Sequence, residues 1–118
     1  AEYCTVDATV GENPSCLDKI KYSTVLTNLA TLYYKQKSED LEHALLLSER
    51  ALKIRLEELP ETDPLVQVSY ELNAEINFKL GKLNQAYFDY EKAIKISKQL
   101  GSPSIKLILK NASIKKKL

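Results

Sequence analysis

Apolar side chains recur every three or four positions along most of this chain, which is the spacing of one face of an α-helix. An early example is the series Leu26, Leu29, Ala30 and Tyr33. The pattern predicts four complete helices and a shorter one at the end of the chain. The predicted helices lie at about residues 17–37, 40–59, 64–80 and 83–100, and the last one near 103–118.

Residues that start or stop helices stand at these predicted boundaries. Thr62 or Asp63 can accept a hydrogen bond from the first turn of the third helix, which begins with Pro64. Gly81 and Gly101 follow the third and fourth helices, and glycine is common where a helix ends. The whole sequence has only 3 glycines and 4 prolines, which leaves little material for β-turns. The sequence therefore predicts an all-α protein.

The chain also repeats itself. The sequence ALKI at 51–54 returns as AIKI at 93–96, an offset of 42 residues, and Ala44 and Ala86 match at the same offset. Residues 30–36 align with residues 74–80 at an offset of 44, so the first copy has two extra residues in its turn. We infer two copies of a helix-turn-helix unit.

Each predicted helix has one apolar face, which must be buried against a neighbour. Short connections make adjacent helices antiparallel, and small alanines at equivalent places in both units allow close approach. Two helix pairs of one period are expected to stack into a right-handed solenoid with a concave and a convex face. This predicts a single domain over 1–118, divided into the end of a preceding unit with a linker (1–16), a first unit (17–62), a second unit (63–102) and a capping or partial helix (103–118).

Composition narrows the function without assigning it. The 17 basic residues almost balance the 16 acidic ones, so no strong overall field would attract nucleic acid or an anionic membrane. No apolar run approaches the roughly 20 residues that cross a bilayer. Cys4 and Cys16 are not spaced as zinc ligands. They are expected to be reduced, as in a cytoplasmic protein, and could pair with each other only if the protein is exported.

Motifs of catalysis are missing from the sequence. It contains no phosphate-binding loop, dinucleotide fingerprint, zinc-protease motif or nucleophilic-serine motif. The only histidine, His43, lies among charged residues and is expected to be a solvated surface group. The sequence therefore predicts neither an enzyme nor a protein with a bound cofactor or metal.

Two segments resemble the tetratricopeptide repeat pattern, namely NLATLYYKQ at 28–36 and GKLNQAYFDYEKA at 81–93. The 42-residue period is longer than the roughly 34 residues usual in that family. It resembles the kinesin-light-chain type of repeat, as does the Asp-Pro pair at 63–64. The resemblance implies a right-handed superhelix of antiparallel helix pairs that binds other proteins.

In this family the first helix of each pair lines the concave groove, so the resemblance assigns groove positions to this chain. They are Thr27, Thr31, Tyr34, Lys35, Glu71, Glu75, Phe78 and Lys79. Tyr34 and Phe78 are equivalent and each precedes a lysine, a mixed lining that suits an extended or helical peptide. Our hypothesis is a cytoplasmic adaptor or scaffold module that binds a peptide segment of a partner protein, with no nucleic-acid or membrane partner.

The alternative is a structural array segment that self-associates, as a homo-oligomer, or packs within a larger complex, with any enzymatic activity in flanking domains. The last helix bears on this choice. A polar outer face would cap the array, whereas bare Ile114 and Leu118 would require a neighbour.

Three residues depart from the repeat pattern, namely Ser48, Asn73 and Asn77. Serine stands where an aromatic residue is usual, and the two asparagines stand where leucine and tyrosine are usual. We expect the asparagines to be hydrogen-bonded or half exposed, because unpaired burial would cost about 1–3 kcal/mol each. The other interpretation is that they hold the backbone of a bound peptide.

Overall fold

A computed structural model describes residues 16–36 and 40–118 of the chain. Within these ranges the protein consists of α-helices without β-strands, which confirms the all-α prediction. The helices are α1 (Cys16–Lys35), α2 (Leu41–Glu58), α3 (Pro64–Lys79), α4 (Leu83–Gln99) and α5 (Ile105–Lys115). The first four agree with the predicted bounds to within two residues. The preceding unit and linker predicted over 1–16 lie, except for residue 16, outside the described residues.

The capping residue and the glycines predicted at the helix boundaries lie where α3 begins and where α3 and α4 end. The Asp63 carboxylate, rather than Thr62, caps α3 by accepting a hydrogen bond from the Leu65 N–H at 2.9 Å. Gly81 and Gly101 follow α3 and α4 with φ angles of 82° and 78°, the left-handed region that glycine adopts without strain.

The last helix begins two residues later than predicted, at Ile105. Ser104 is the N-cap of α5, and its hydroxyl accepts from the Leu107 N–H at 3.4 Å. The Ser104 N–H in turn donates to the hydroxyl of Ser97 in α4 at 3.1 Å. The start of α5 is therefore tied to the end of α4.

The helices pack in chain order. α1 packs on α2, α2 on α3, α3 on α4 and α4 on α5, and α1 also reaches α3. No other pair of these helices brings Cα atoms within 8 Å. The described part of the chain has principal extents of 51, 35 and 19 Å, so the helices form an elongated, flat layer.

Small residues allow this close layering. All six alanines singled out as repeated small positions are fully buried. They are Ala30, Ala44, Ala51, Ala74, Ala86 and Ala93. One apolar cluster joins α1, α2 and α3 around Ala30 and Ile76, and a second joins α3, α4 and α5 around Ala93 and Leu107.

Candidate functional site

Three of the sequence-predicted groove residues line one depression. Tyr34 of α1 and Glu75 and Phe78 of α3 lie together there with four residues that the sequence did not point to, and the volume is about 260 Å³. The additional residues are Tyr90, Lys110, Ser113 and Ile114. We term this surface the aromatic depression. It draws most of its lining from α1, α3 and α5, the odd-numbered helices.

Lysine side chains surround the rings of the aromatic depression. The Lys79 ammonium lies 4.6 Å from the centre of the Tyr34 ring and donates to the Tyr34 carbonyl oxygen at 3.3 Å. The Lys117 ammonium lies 5.2 Å from the centre of the Phe78 ring. Lys110 of α5 pairs with Glu75 at 3.9 Å. The depression therefore combines aromatic surface with a positively charged rim.

Lysines of α5 partly offset the negative charges of the α3 carboxylates. Burial raises the pKa of Glu71, as does the charge of Glu75, while Lys106 and Lys110 lower it. Burial also raises the pKa of the Tyr34 phenol, and the charge of Glu75 and a hydrogen bond to it add to this effect. The Tyr34 hydroxyl is therefore protonated at neutral pH and is a hydrogen-bond donor.

The other predicted groove residues do not line the depression. Thr27 is buried and donates to the Ser23 carbonyl oxygen at 2.9 Å, and the half-buried Thr31 donates to the Thr27 carbonyl oxygen at 2.8 Å. Both hydroxyls are thus engaged by their own helix. Lys35 is exposed at the end of α1, and Glu71 lies one turn before Glu75 on α3.

The asparagines that depart from the repeat pattern are hydrogen-bonded, as expected, but both are buried, with only 3% of their surface exposed. Asn73 accepts a hydrogen bond from the Ser48 hydroxyl, so two departures from the pattern satisfy each other across α2 and α3. The Asn77 amide nitrogen donates to the Asp89 carboxylate of α4 at 2.9 Å. The Asn77 amide oxygen has no hydrogen-bond partner among the described residues.

Arg55 is a structural residue whose role was missed at the sequence level. It is 1% exposed, and its guanidinium donates to the Ser23 hydroxyl of α1 at 3.0 Å and to the Ser69 hydroxyl of α3 at 2.8 Å. It also donates to the Leu65 carbonyl oxygen at 3.1 Å. Burial lowers the pKa of Arg55, and the charge of Asp63 opposes this. The residue joins three helices.

The structure confirms the prediction for the histidine and contradicts the prediction for Cys16. His43 is exposed, as predicted, and its ring meets the Tyr33 ring edge-on with 4.9 Å between centroids. Cys16 is disulfide-bonded, so the expectation of a reduced thiol is wrong for this residue. Cys4, the second cysteine of the sequence, lies outside the described residues. Within the described ranges, no three His, Cys, Asp or Glu residues are grouped so that they could hold a metal ion.

The outer face of α5 includes exposed apolar residues. Ile114 is buried in the cluster around Leu107, but Ile105 and Leu109 are 70% and 66% exposed, and Leu118 is exposed as well. Lysines such as Lys106 and Lys110 are exposed on the same helix, so its surface is neither a purely polar cap nor purely apolar, and Ile114 is not bare.

Comparison with protein-family models, with curated proteins and with solved structures finds no significant match. No described helix combines the length and the hydrophobicity needed to cross a bilayer.

Proposed function

We propose that this protein is a protein-interaction module of the tetratricopeptide type, with repeats closest to the 42-residue kinesin-light-chain class. In this proposal its helix pairs form a right-handed solenoid, and a peptide segment of a partner protein binds at the aromatic depression. The observation that supports this most directly is that α1, α3 and α5 contribute to one depression around Tyr34 and Phe78. In a solenoid of helix pairs, these first helices of successive pairs share one face.

The lining of the depression favours a particular peptide chemistry. The Tyr34, Phe78 and Tyr90 rings offer apolar surface to an aromatic or aliphatic side chain. Lys79 and Lys117 place ammonium groups beside that surface, whereas Lys110 and Glu75 pair with each other. The peptide is therefore expected to carry an apolar residue flanked by Asp or Glu.

The proposal assigns the module no catalysis, cofactor, nucleic-acid partner or membrane partner of its own. The disulfide at Cys16 argues against the cytoplasmic location that we expected. Disulfides are rare in the reducing cytosol, and Cys16 is disulfide-bonded. The location is best determined by fractionating cells that express the protein.

The function can be tested with a phage-displayed library of random 12-residue peptides, followed by affinity measurement on synthetic peptides by fluorescence anisotropy. We expect selected peptides to share an apolar residue with acidic neighbours. Tyr34→Ala and Phe78→Ala should each weaken binding more than tenfold, because each removes one wall of the depression.

Phe88→Ala is the matched control for these variants. Phe88 is 52% exposed and also has a lysine, Lys92, over its ring at 5.4 Å, but it lies outside the depression. Its replacement should leave affinity unchanged. Equal losses in all three variants, or none in Tyr34→Ala and Phe78→Ala with helicity retained, would reject the aromatic depression as the binding site.

A second candidate function is supported by α5. Its exposed Ile105 and Leu109 form an apolar outer face of the kind that a further helix or a second copy of this chain would cover. The alternative proposal is self-association through α5. Sedimentation velocity should then detect a dimer that Ile105→Glu with Leu109→Glu converts to monomer. A monomer at all concentrations would reject this alternative and leave the peptide-binding proposal intact.

A further inference from the structure

A second, larger concavity lies on another side of the molecule, between α2, α3 and α4. Its volume is about 550 Å³. Its polar lining comes from Glu49 of α2, Asn73 and Asn77 of α3, Lys82 in the following turn and Asn84, Gln85 and Asp89 of α4. We term it the polar cavity. It shares no lining residue with the aromatic depression.

Three of the buried polar residues of this cavity, all in α3 and α4, have apolar counterparts in the first unit. At the offsets of 42 and 44 residues that relate the two units, the equivalents of Asn73, Asn77 and Asp89 are Leu29, Tyr33 and Leu47. Leu47 and Tyr33 pack against the apolar cluster around Ala30. Apolar residues therefore occupy these positions in the first unit. The pairing of the helices does not by itself require polar residues at the same positions in the second unit.

Two of these buried polar residues, Asp89 and Asn77, lack partners within the described ranges that would offset the cost of their burial. Asp89 is 5% exposed, and burial raises its pKa to about 6 although the hydrogen bond from Asn77 lowers it. Above that pH the carboxylate is a buried anion, and it has no ion-pair partner among the described residues. The buried amide oxygen of Asn77 is likewise without a hydrogen-bond donor in this part of the chain. Both groups are acceptors.

The charged and titratable groups around Asp89 leave the cavity negative. From α2, Glu49 faces it and further raises its pKa. From α3, Tyr70 faces it, and burial followed by the charges of Glu61 and Asp89 raises the pKa of that phenol. From the turn before α4, Lys82 lines the cavity, but its ammonium pairs with Glu42 at 3.5 Å.

We propose that the polar cavity binds the guanidinium group of an arginine side chain carried by a partner polypeptide. A guanidinium presents five N–H donors in a planar fork, which can serve the Asp89 carboxylate and the Asn77 amide oxygen together. Glu49 at the edge supplies a second opposite charge. The cavity is larger than a single metal ion needs, and the described residues hold no metal-ligating group of three acids, histidines or cysteines.

The proposal can be tested by titrating the ¹⁵N-labelled chain with N-acetyl-arginine methylamide and following chemical shifts. The shifts are expected at the side-chain amides of Asn73 and Asn77 and at the backbone around Asp89. The lysine analogue should bind at least threefold more weakly, and the uncharged citrulline analogue, which has nearly the same shape, should not bind. No shifts up to 20 mM arginine probe, equal shifts with citrulline, or the same shifts with Ca²⁺ alone would overturn the proposal.

Variants then locate the effect. Asp89→Asn keeps the size of the side chain and an acceptor for Asn77, and it should weaken the arginine probe at least tenfold. Glu49→Gln, on the exposed side of α2, should weaken it about threefold. Glu57→Gln, an exposed acid on the same helix that lines neither concavity, should have no effect.

Two further measurements distinguish this site from the aromatic depression and from nonspecific attraction of a cation. Lowering the pH from 7.5 to 5 should weaken the probe about tenfold in the unchanged protein, because Asp89 takes up a proton, but should change little in Asp89→Asn. Phe78→Ala should leave the arginine affinity unaltered, so this site and the aromatic depression succeed or fail independently. An Asp89→Asn variant that binds arginine like the unchanged protein would refute the assignment.

Discussion

The junction between α2 and α3 differs from the junction between α4 and α5. Ser48 and Arg55 of α2 lie at the first junction. Their equivalents at an offset of 42 residues, Tyr90 and Ser97 of α4, lie at the second. In the first junction Arg55 donates to Ser69 and to the Leu65 carbonyl oxygen, and Ser48 donates to Asn73. This junction is held by directional hydrogen bonds.

The second junction is mainly apolar. Tyr90 is 3% exposed and packs in the cluster that contains Leu107 and Ile114 of α5. Ser97 accepts a hydrogen bond at the start of that helix, from the Ser104 N–H, and the Asn111 amide of α5 donates to the Glu91 carboxylate of α4 at 2.6 Å. Buried hydrogen bonds are lost entirely when a partner is removed, whereas apolar contacts are lost in proportion to the area removed. The two junctions should therefore respond differently to mutation.

The largest effect is expected when the polar junction loses its arginine. Arg55→Ala leaves the Ser69 hydroxyl and the Leu65 carbonyl oxygen without this donor and opens a cavity between three helices. We expect the free energy of unfolding, measured in urea, to fall by about 3–5 kcal/mol, from the unsatisfied acceptors together with the cavity. Arg50→Ala, at an exposed position of the same helix, should change it by no more than about 0.5 kcal/mol. Similar values for the two variants would contradict the role given to Arg55.

A smaller loss is expected from the apolar junction. Leu107 is 1% exposed, and replacing it with alanine removes buried methyl groups and leaves a cavity, which costs about 2–5 kcal/mol in general. We expect the lower half of this range, because among the described helices only α4 brings Cα atoms within 8 Å of α5, so this last helix can shift into the space. Leu109→Ala, at a 66% exposed position of the same helix, is the control and should have little effect. A loss greater than that of Arg55→Ala would reverse the order proposed for the two junctions.

The second unit buries Asp89 where the first unit has Leu47, and this difference predicts that the free energy of unfolding depends on pH. The folded protein keeps a proton on Asp89 up to about pH 6, whereas in the unfolded chain the carboxyl loses it near its ordinary pKa of 3.8. The folded state thus binds more protons in this window, so the contribution of Asp89 to the free energy of unfolding decreases as the pH rises from about 4 to 6. The pKa change corresponds to a penalty on the order of 2–3 kcal/mol above pH 6.

Asp89→Asn should remove this penalty. Thermal and urea unfolding should show the variant more stable than the unchanged protein at pH 7.5, and the difference should disappear near pH 4. Glu57→Gln, at an exposed position of α2 outside both concavities, is the control for loss of an acidic residue elsewhere. A variant that is less stable at pH 7.5 would mean that the Asn77–Asp89 contact stabilises the fold in its ionised form.

The helices, their ends and the buried alanines could be predicted from the sequence because they depend on neighbours within one or two turns. The burial of Arg55 depends on what other helices present to it, so composition alone made it an ordinary charged residue. Its position does hold a signal. Arg55 lies four residues after Ala51 and eleven after Ala44, on the buried face of α2. A charged residue on the apolar stripe was the sign of a buried polar contact.

The candidate site was predictable only in part, for a related reason. Tyr34, Glu75 and Phe78 were found because the two units align with each other and with a repeat pattern. Lys110 and Ile114 were not assigned to the site, because the last helix was predicted as a capping or partial helix and not as a wall of the groove. A binding role was considered for Asn73 and Asn77 of the polar cavity, but Asp89 was missed, since its meeting with Asn77 depends on how α3 packs against α4.

The smallest effects on stability are expected from substitutions at Gly81 and Gly101, which test whether the turns after α3 and α4 are equivalent. At Gly81 the Lys82 N–H donates to the Asn77 carbonyl oxygen at 2.9 Å, and at Gly101 the Ser102 N–H donates to the Ser97 carbonyl oxygen at 3.0 Å. An added Cβ would meet no atom within 4 Å at either glycine, so only the positive φ opposes a side chain.

Gly81→Ala and Gly101→Ala should therefore each lower the free energy of unfolding by about 1–2 kcal/mol, the cost of a left-handed conformation in a residue with a Cβ. Gly81→Asn and Gly101→Asn are the matched controls and should cost less, because asparagine tolerates this conformation better. Equal costs at the two sites would mean that the difference between the units lies in the side chains at the junctions and not in the backbone turns. A clearly larger cost at Gly81 would place part of that difference in the turn beside the polar cavity, whose lining includes Gly81 itself.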